Sequence, residues 1–205
     1  MKILLVDDHV IVRSGLRGLL TSAMHTEILE AATGRDALLL LRRERPDLVL
    51  LDLNLPGIGG LELLRRMLLE DKTARIMVLS MHAEPLYAAR AMKLGARGYL
   101  SKNTAADELL AAVRRVTDGG RYIESAIAQQ LALELTSPGP ALPDLTEREL
   151  EIMRLLADGM SLTEIADALG IGYKTVANGC SLLKAKLGVS RTSELVRLAM
   201  TLGIA

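Results

Sequence analysis

Side chains able to handle a phosphoryl group or a metal ion stand at the ends of separate apolar segments in the first half of the chain. They are Asp7, Asp8, Asp52, Ser80 and Lys102. Converging carboxylates repel one another unless a cation lies between them, and hard oxygen ligands suit Mg²⁺. A hydroxyl and an ammonium group opposite them suit a phosphoryl group on Asp52. Each residue alone could be a helix cap, a strand-end hydroxyl or a surface charge, but together they indicate phosphoryl chemistry.

The segment around Asp52 shows how such side chains are positioned. Four apolar residues in a row, Leu48–Leu51, predict a strand that is buried on both faces, as in a parallel sheet. The strand ends at Asp52, and Pro56-Gly57 then turns the chain. Because ligands of open α/β sheets bind at the carboxyl ends of strands, Asp52 is predicted to be a reactive carboxylate.

Apolar strand patterns alternate with helical patterns through the first 120 residues. The predicted strands cover residues 3–6, 27–31, 48–52, 75–80 and 95–102, and the predicted helices cover residues 10–20, 35–45, 60–70, 85–94 and 105–117. This alternation predicts an α/β fold with a doubly wound, five-stranded parallel sheet of the flavodoxin-like type. The ends of strands one, three, four and five then line one crevice, which brings the acidic, hydroxyl and ammonium groups together.

The remainder of the chain carries helical patterns. Capping-box sequences beginning at Thr146 and Ser161 start two helices, and a glycine-containing turn before the third is typical of a helix-turn-helix. Three of the six prolines lie just before this region, as in a domain linker. We divide the chain into residues 1–120, a partly helical and then Pro-rich linker at 121–143, and a small all-α four-helix domain at 144–205.

Composition limits the partners and the compartment. The 205 residues include 25 Lys and Arg and 25 Asp and Glu, so no net charge draws the whole chain to nucleic acid or to a membrane. A single Cys cannot form an internal disulfide, which fits a reducing cytoplasm. Four apolar residues before Asp7 are too few for a signal peptide, and no later apolar run approaches a membrane span. We therefore expect a cytoplasmic protein with no membrane partner.

The motifs of both regions resemble a known family. The first 120 residues resemble the receiver domain of bacterial two-component response regulators, and the last 60 are similar to the LuxR-type helix-turn-helix of the NarL/FixJ subfamily. The resemblance implies a role for each matching position. Asp52 matches the phosphoacceptor; Asp7, Asp8, Asp52 and the backbone carbonyl of Asn54 match the Mg²⁺ ligands; Ser80, Tyr99 and Lys102 match the switch and catalytic residues; and Asn54 and His82 match modifiers of phosphate lifetime.

The resemblance also implies a mechanism. A sensor histidine kinase donates a phosphoryl group to Asp52, and Mg²⁺ neutralises charge in the transition state. Ser80 is then drawn toward the phosphate and Tyr99 turns into the space it leaves, which shifts the population between two packings. The active protein is expected to be a homodimer that binds paired half-sites in double-stranded promoter DNA. It is not expected to be an enzyme, because it promotes phosphotransfer only to and from itself.

The third helix of the output domain, residues 173–187, is the expected DNA-recognition helix. Phased at 100° per residue, it places Val176, Cys180, Leu183 and Leu187 on one face, which we assign to the core. Lysines on the other face can contact phosphates, and Asn and Ser can read base edges. The predicted DNA-binding residues are Lys174, Thr175, Ala177, Asn178, Ser181, Lys184 and Lys186.

The recognition helix departs from the subfamily at three positions. Ala177 stands where a basic residue is frequent, Gly179 where a bulky polar residue is usual, and Leu182 where the residue is often polar. A glycine in mid-helix costs about 1 kcal/mol relative to alanine, and fewer basic contacts flatten the salt dependence of DNA binding. An output domain that binds a protein partner through Gly179 and Leu182 is therefore the alternative function.

An enzyme is a further alternative to a regulator. A phosphatase of the haloacid dehalogenase type also uses an Asp at a strand end, but such enzymes carry Asp-x-Asp where this chain has Asp52-Leu53-Asn54.

The fourth output helix is the expected dimer face, although some of its apolar residues must pack in the core. The dimer residues are predicted to be Leu195, Val196 and Ala199.

Overall fold

Two compact units make up the chain, Met1–Leu133 and Glu134–Ala205. The computed structural model describes residues 1–56, 58–81, 85–136, 145–201 and 204. Within these ranges no helix is both long enough and apolar enough to cross a membrane.

The first unit is built on a parallel sheet in the order β2-β1-β3-β4-β5-β6. Its strands are β1 (Lys2–Val6), β2 (Glu27–Ala31), β3 (Leu48–Asp52), β4 (Ile76–Ser80), β5 (Gly98–Ser101) and β6 (Tyr122–Ile123). The predicted doubly wound α/β fold is confirmed, but the predicted count of five strands is one too low. The missing strand, β6, has two residues, which is too short to show an alternating pattern, and it pairs with β5 in the segment assigned to the linker.

Helices cover both faces of this sheet. They are α1 (Val10–Met24), α2 (Gly34–Glu44), α3 (Gly60–Glu70), α4 (Pro85–Leu94) and α5 (Ala106–Thr117), and α6 (Ser125–Thr136) follows β6. Side chains from α1 and α5, such as Leu20, Leu109 and Val113, join the strands in one apolar cluster. Every residue of β3 and β4 is buried, as expected of central parallel strands between two helical layers.

The register of the central strands fixes where their polar end residues lie. Neighbouring strand ends are paired as follows: Val6 with Leu51, Asp52 with Leu79, and Ser80 with Ser101. Because all of these strands are parallel, the residues at and just beyond their carboxyl ends lie along one edge of the sheet. Asp7, Asp52, Ser80 and Lys102 therefore share that edge, as the sequence predicted.

The second unit is a small helical domain. Its helices are α7 (Glu147–Ala157), α8 (Leu162–Ala168), α9 (Tyr173–Leu187) and α10 (Thr192–Thr201). Both predicted capping boxes are confirmed: the Thr146 and Ser161 hydroxyls each accept from the backbone N–H three residues later, and the glutamate there accepts in return. The chain turns between α8 and α9 at Gly170, whose φ of 61° favours glycine.

Candidate functional site

A lysine bridges two buried carboxylates at the carboxyl edge of the sheet. Lys102 Nζ donates to Asp7 Oδ2 at 2.6 Å and to Asp52 Oδ2 at 2.7 Å. The side chain of Asp52 is 1% exposed, and those of Asp7 and Lys102 are 5% and 9% exposed. One ammonium group cannot neutralise two carboxylates, so the cluster keeps an excess negative charge that favours a further cation.

The ionisation of this cluster follows from its burial and its pairing. Burial raises the pKa of Asp52 above the ordinary carboxyl value, although the hydrogen bond from Lys102 acts in the opposite direction. Burial also tends to lower the pKa of Lys102, but the two carboxylates outweigh it, and the net pKa of Lys102 is raised. Lys102 is therefore held in its charged form between the two acids.

Asp8 and His9 extend the cluster into a set of metal-ligand types. One potential ligand atom from each of Asp7, Asp8, His9 and Asp52 lies within 4.8 Å of the others. Asp8 Oδ1 is buried and has no hydrogen-bond partner among the residues that the structure describes. An uncompensated carboxylate oxygen beside two further carboxylates fits a divalent cation with oxygen ligands, as Mg²⁺ requires.

The other predicted receiver residues lie around this cluster. Ser80 and Tyr99 are fully buried, and the backbone N–H of Lys102 donates to the Ser80 carbonyl at 2.8 Å. The backbone N–H of Asn54 donates to Asp52 Oδ1 at 3.1 Å. The structure thus brings Ser80, Asn54 and Lys102 to the Asp52 loop and places Tyr99 in the core of β5. His82 falls outside the described residues.

Sequence reasoning missed two residues that shape this site, His9 and Arg13. The backbone N–H of His9 donates to Asp7 Oδ1 at 2.8 Å, and Arg13 donates both to the Asp7 carbonyl and to Glu30 Oε2. The position of His9 directly after the acid pair was the available signal. Arg13 lies on the side of α1 that its helical phase assigns to solvent, and only tertiary structure shows its contact with Asp7.

The recognition helix α9 has the two faces that its pattern predicted. Val176, Cys180 and Leu183 are buried in the domain core, and burial raises the pKa of the Cys180 thiol. The predicted DNA-binding side chains Lys174, Thr175, Asn178, Ser181 and Lys186 are exposed, and Ala177 and Lys184 are half-buried. The α9 face therefore offers a mostly polar surface of the predicted composition.

Hydrogen bonds within the domain fix some of the polar side chains on this face. Lys186 Nζ donates to Glu149 Oε2 of the α7 capping box at 2.8 Å, and Ser181 Oγ donates to the Ala177 carbonyl at 3.0 Å. A Cβ on Gly179 would lie 2.7 Å from Ile152 Cδ1, so Gly179 faces α7. A side chain at Gly179 would therefore require the end of the Ile152 side chain to shift.

The predicted dimer face on α10 is corrected by the structure. Leu195 and Ala199 are completely buried within the helical unit, whereas Val196 is half-buried. The two buried residues are four apart, on the face of α10 that packs against α7 and α9. They stabilise the monomer core and are not available to a second copy of the chain.

Comparison with known proteins agrees with this architecture. Residues 3–114 match the response regulator receiver domain, and residues 143–199 match the LuxR family of bacterial regulatory proteins. The chain is therefore a response regulator with a receiver domain and a LuxR-type helix-turn-helix, and it belongs to the NarL/FixJ subfamily.

Relatives of known identity span the whole chain. It is 38% identical to the response regulator UvrY of Escherichia coli strain K12 and 42% identical to the transcriptional activator protein ExaE of Pseudomonas putida, covering 95% and 98% of those proteins. Among solved structures it is similar to RcsB of Salmonella enterica serovar Typhimurium bound to promoter rprA with the phosphomimetic BeF₃⁻. That match has a TM-score of 0.68 at 25% identity and covers 96% of this chain and 97% of that one.

Proposed function

We propose that this response regulator accepts a phosphoryl group from a sensor histidine kinase on Asp52 and thereby controls its dimerisation and its binding to promoter DNA. The observation that carries the proposal is the burial of Asp52 at the end of β3, bonded to Lys102 and beside Asp7. This arrangement presents one carboxylate next to a fixed positive charge, as acceptance of a phosphoryl group requires. It acts on no external substrate.

The transfer step requires a nucleophile and compensation of charge. A carboxylate oxygen of Asp52 forms the new P–O bond while the P–N bond of the kinase phosphohistidine breaks, and the electron pair of that bond stays on the imidazole. The Lys102 ammonium, 2.7 Å from Asp52 Oδ2, is placed to contact an oxygen of the phosphoryl group. Mg²⁺ held by Asp7, Asp8, Asp52 and the Asn54 carbonyl would neutralise further charge.

The response to phosphorylation runs along neighbouring strands. The Ser80 hydroxyl bonds the new phosphate, and the Tyr99 side chain alternates between two positions as Ser80 moves. Reversing the populations of two states from 1:99 to 99:1 takes about 5.5 kcal/mol of differential stabilisation. Asn54 and His82 adjust how long the phosphate persists by controlling the approach of water.

DNA recognition is assigned to α9. Lys174 at its exposed amino end can contact phosphate, while Thr175 and Asn178 can reach base edges in the major groove. The similarity of this chain to RcsB, which has been solved bound to promoter DNA, supports DNA binding by the chain as a whole. The pairing of Lys186 with Glu149 removes one cation from the DNA-facing set, so we expect a shallow dependence of affinity on salt.

The decisive experiment measures DNA-binding anisotropy of the full chain with and without beryllofluoride and Mg²⁺ over a salt series. Labelled fragments from upstream of its own gene are the probe. We expect binding that tightens with beryllofluoride, and loss of that stimulation in Asp52→Asn. The matched variant Lys174→Ala should instead weaken binding in both states. Stimulation that persists in Asp52→Asn would overturn the phosphoacceptor assignment.

A second candidate function rests on the exposure of Leu182, which is 60% exposed within the recognition helix. An exposed leucine on this face fits a protein partner better than a phosphate backbone. Specific DNA binding that survives Leu182→Ala would assign the face to DNA. Absence of binding to any fragment in either phosphorylation state would favour the protein partner.

A further inference from the structure

His9 occupies the N-cap position of α1 without capping the helix. Its backbone is extended, with φ −81° and ψ 110°, and its side chain makes no capping hydrogen bond. Ser, Thr, Asp and Asn are favoured at N-caps because their oxygen accepts from the first free N–H groups of the helix. The imidazole instead faces the acid pair: Nδ1 is hydrogen-bonded to Asp7 Oδ1 at 3.2 Å and lies 2.9 Å from Asp8 Oδ1.

The atoms around the imidazole are not fully compensated. Asp8 Oδ1 is buried and accepts no hydrogen bond from any described residue, and His9 Nδ1 lies 2.9 Å from it without forming one. Lys102 is committed to Asp7 and Asp52 and donates to neither Asp8 nor His9 in the described structure. Because a carboxylate can only accept, Nδ1 carries the proton in its hydrogen bond with Asp7 Oδ1. A metal ion at this site would take the place of that proton and bind the Nδ1 lone pair of the tautomer protonated at Nε2.

We propose that His9 is a direct ligand of the ion at the receiver metal site and that it makes this site prefer divalent first-row transition ions to Mg²⁺. The inference rests on the metal site of the proposed function. The donor set becomes three carboxylates and one imidazole, with one atom from each residue within 4.8 Å of the others. Imidazole suits transition ions, whereas Mg²⁺ takes oxygen ligands and keeps its waters.

Manganese is the probe for this proposal because its electron spin reports the nuclei bound to it. Mn²⁺ and Mg²⁺ are titrated separately into the full chain, and pulsed electron paramagnetic resonance of bound Mn²⁺ is searched for coupling to an imidazole ¹⁴N. The test variant is His9→Gln. The matched control is His25→Asn, an exposed histidine at the other end of α1 whose φ of 50° asparagine tolerates.

The expected result is a ¹⁴N coupling in the native chain that persists in His25→Asn and disappears in His9→Gln. His9→Gln should also weaken Mn²⁺ binding by about tenfold, while its Mg²⁺ affinity changes by less than about twofold. Asp52→Asn should weaken both ions, which ties the signal to the receiver site. A native complex without ¹⁴N coupling and with unchanged affinity in His9→Gln overturns the ligand role of His9 and leaves the metal site standing. If neither ion binds the native chain, so that Asp52→Asn has no binding to weaken, the metal site is removed from the proposed function and the ligand role of His9 is overturned with it.

Discussion

Lys102 shows how much of the receiver depends on a single side chain. Its ammonium group separates Asp7 from Asp52, and all three groups are almost completely shielded from water. Removing one partner of a buried ion pair leaves charge without compensation, which costs more than the pair itself contributes. Lys102 therefore contributes to stability as well as to the chemistry proposed for Asp52.

Replacement of Lys102 by alanine is expected to lower the free energy of unfolding of the receiver by about 3 kcal/mol at neutral pH. The loss should shrink as the pH falls through the raised pKa of Asp52, because the protonated carboxyl needs no counter-charge. Mg²⁺ should restore part of the stability. Hydrogen exchange of the β3 amides measures all three effects, with the exposed Lys72→Ala as a control that changes by less than about 0.5 kcal/mol.

Among the single elements of the receiver, α3 and α1 each contain a glycine, and the two positions differ in the space available for a side chain. The backbone N–H of Gly60 donates to the Leu53 carbonyl at 3.1 Å, and a Cβ at Gly60 would lie 2.2 Å from Leu53 Cα. The start of α3 is thus pressed against the loop that follows Asp52. Gly15 in α1 is exposed, and beyond the backbone of its own helix a Cβ there would meet no atom of the described residues within 4 Å.

We expect opposite effects from alanine at these two glycines. Gly60→Ala should destabilise the receiver by about 2 kcal/mol and shift the Asp52 loop, because backbone atoms block the new methyl group. Gly15→Ala should stabilise it by roughly 0.5–1 kcal/mol, because alanine favours the helix and restricts the unfolded chain. Thermal unfolding of the two variants tests this, and equal effects would contradict the packing described for Gly60.

The capping box of α7 differs from that of α8 by an ion pair. Burial tends to raise the pKa of Glu149, but Lys186 and Thr146 outweigh it and hold the pKa below the usual range. A lowered pKa in the folded state stabilises the domain above the unfolded-state pKa of Glu, and this stability is lost as the pH falls through the lower folded value. In the α8 box, Glu164 accepts from the hydroxyl and the backbone N–H of Ser161.

Glu149→Ala should therefore cost about 1–2 kcal/mol at pH 7, which is more than the matched Glu164→Ala should cost. The excess belongs to the pair with Lys186, and it should shrink in high salt and below roughly pH 4. Hydrogen exchange of the α7 and α8 amides resolves the two variants. An excess that is independent of both salt and pH would show that Lys186 contributes nothing.

The sequence predicted the helices and strands that carry strong apolar or capping patterns. It did not predict features that depend on contacts between elements. Four apolar residues before Asp52 were enough to place that strand, and Thr146 and Ser161 were enough to place two helix starts. The same approach could not show that Leu195 packs inward, because an apolar residue on an amphipathic helix suits a core and a dimer equally well. Nor could it show the packing of Gly179 on Ile152, which depends on the approach of two helices.

At the scale of the whole molecule, each unit has a core of its own. The first unit packs around its sheet, and the second around residues such as Met153, Val176 and Leu195. Separate cores of this kind are expected to unfold as separate cooperative units. A ligand that binds only the folded receiver should then stabilise only that unit.

Calorimetry of the full chain is therefore expected to show two unfolding transitions. Mg²⁺ at 100 times its dissociation constant should raise the free energy of unfolding of the receiver by about 2.7 kcal/mol and leave the transition of the helical unit unchanged. The same addition to Asp52→Asn should have a smaller effect. A single transition that moves as a whole would show that the two units unfold together.

The complete burial of Tyr99 has a spectroscopic consequence. The chain contains four tyrosines and neither Phe nor Trp, so its near-ultraviolet aromatic signal comes from tyrosine alone. Tyr99 is 0% exposed and Tyr87 7% exposed, whereas Tyr173, which opens the recognition helix, is 56% exposed. Fluorotyrosine incorporated throughout the protein would give one ¹⁹F resonance from β5, one each from α4 and β6, and one from the start of α9. The native sequence thus carries a set of reporters in which movement at the receiver switch and engagement of the recognition helix are read as separate lines of one spectrum.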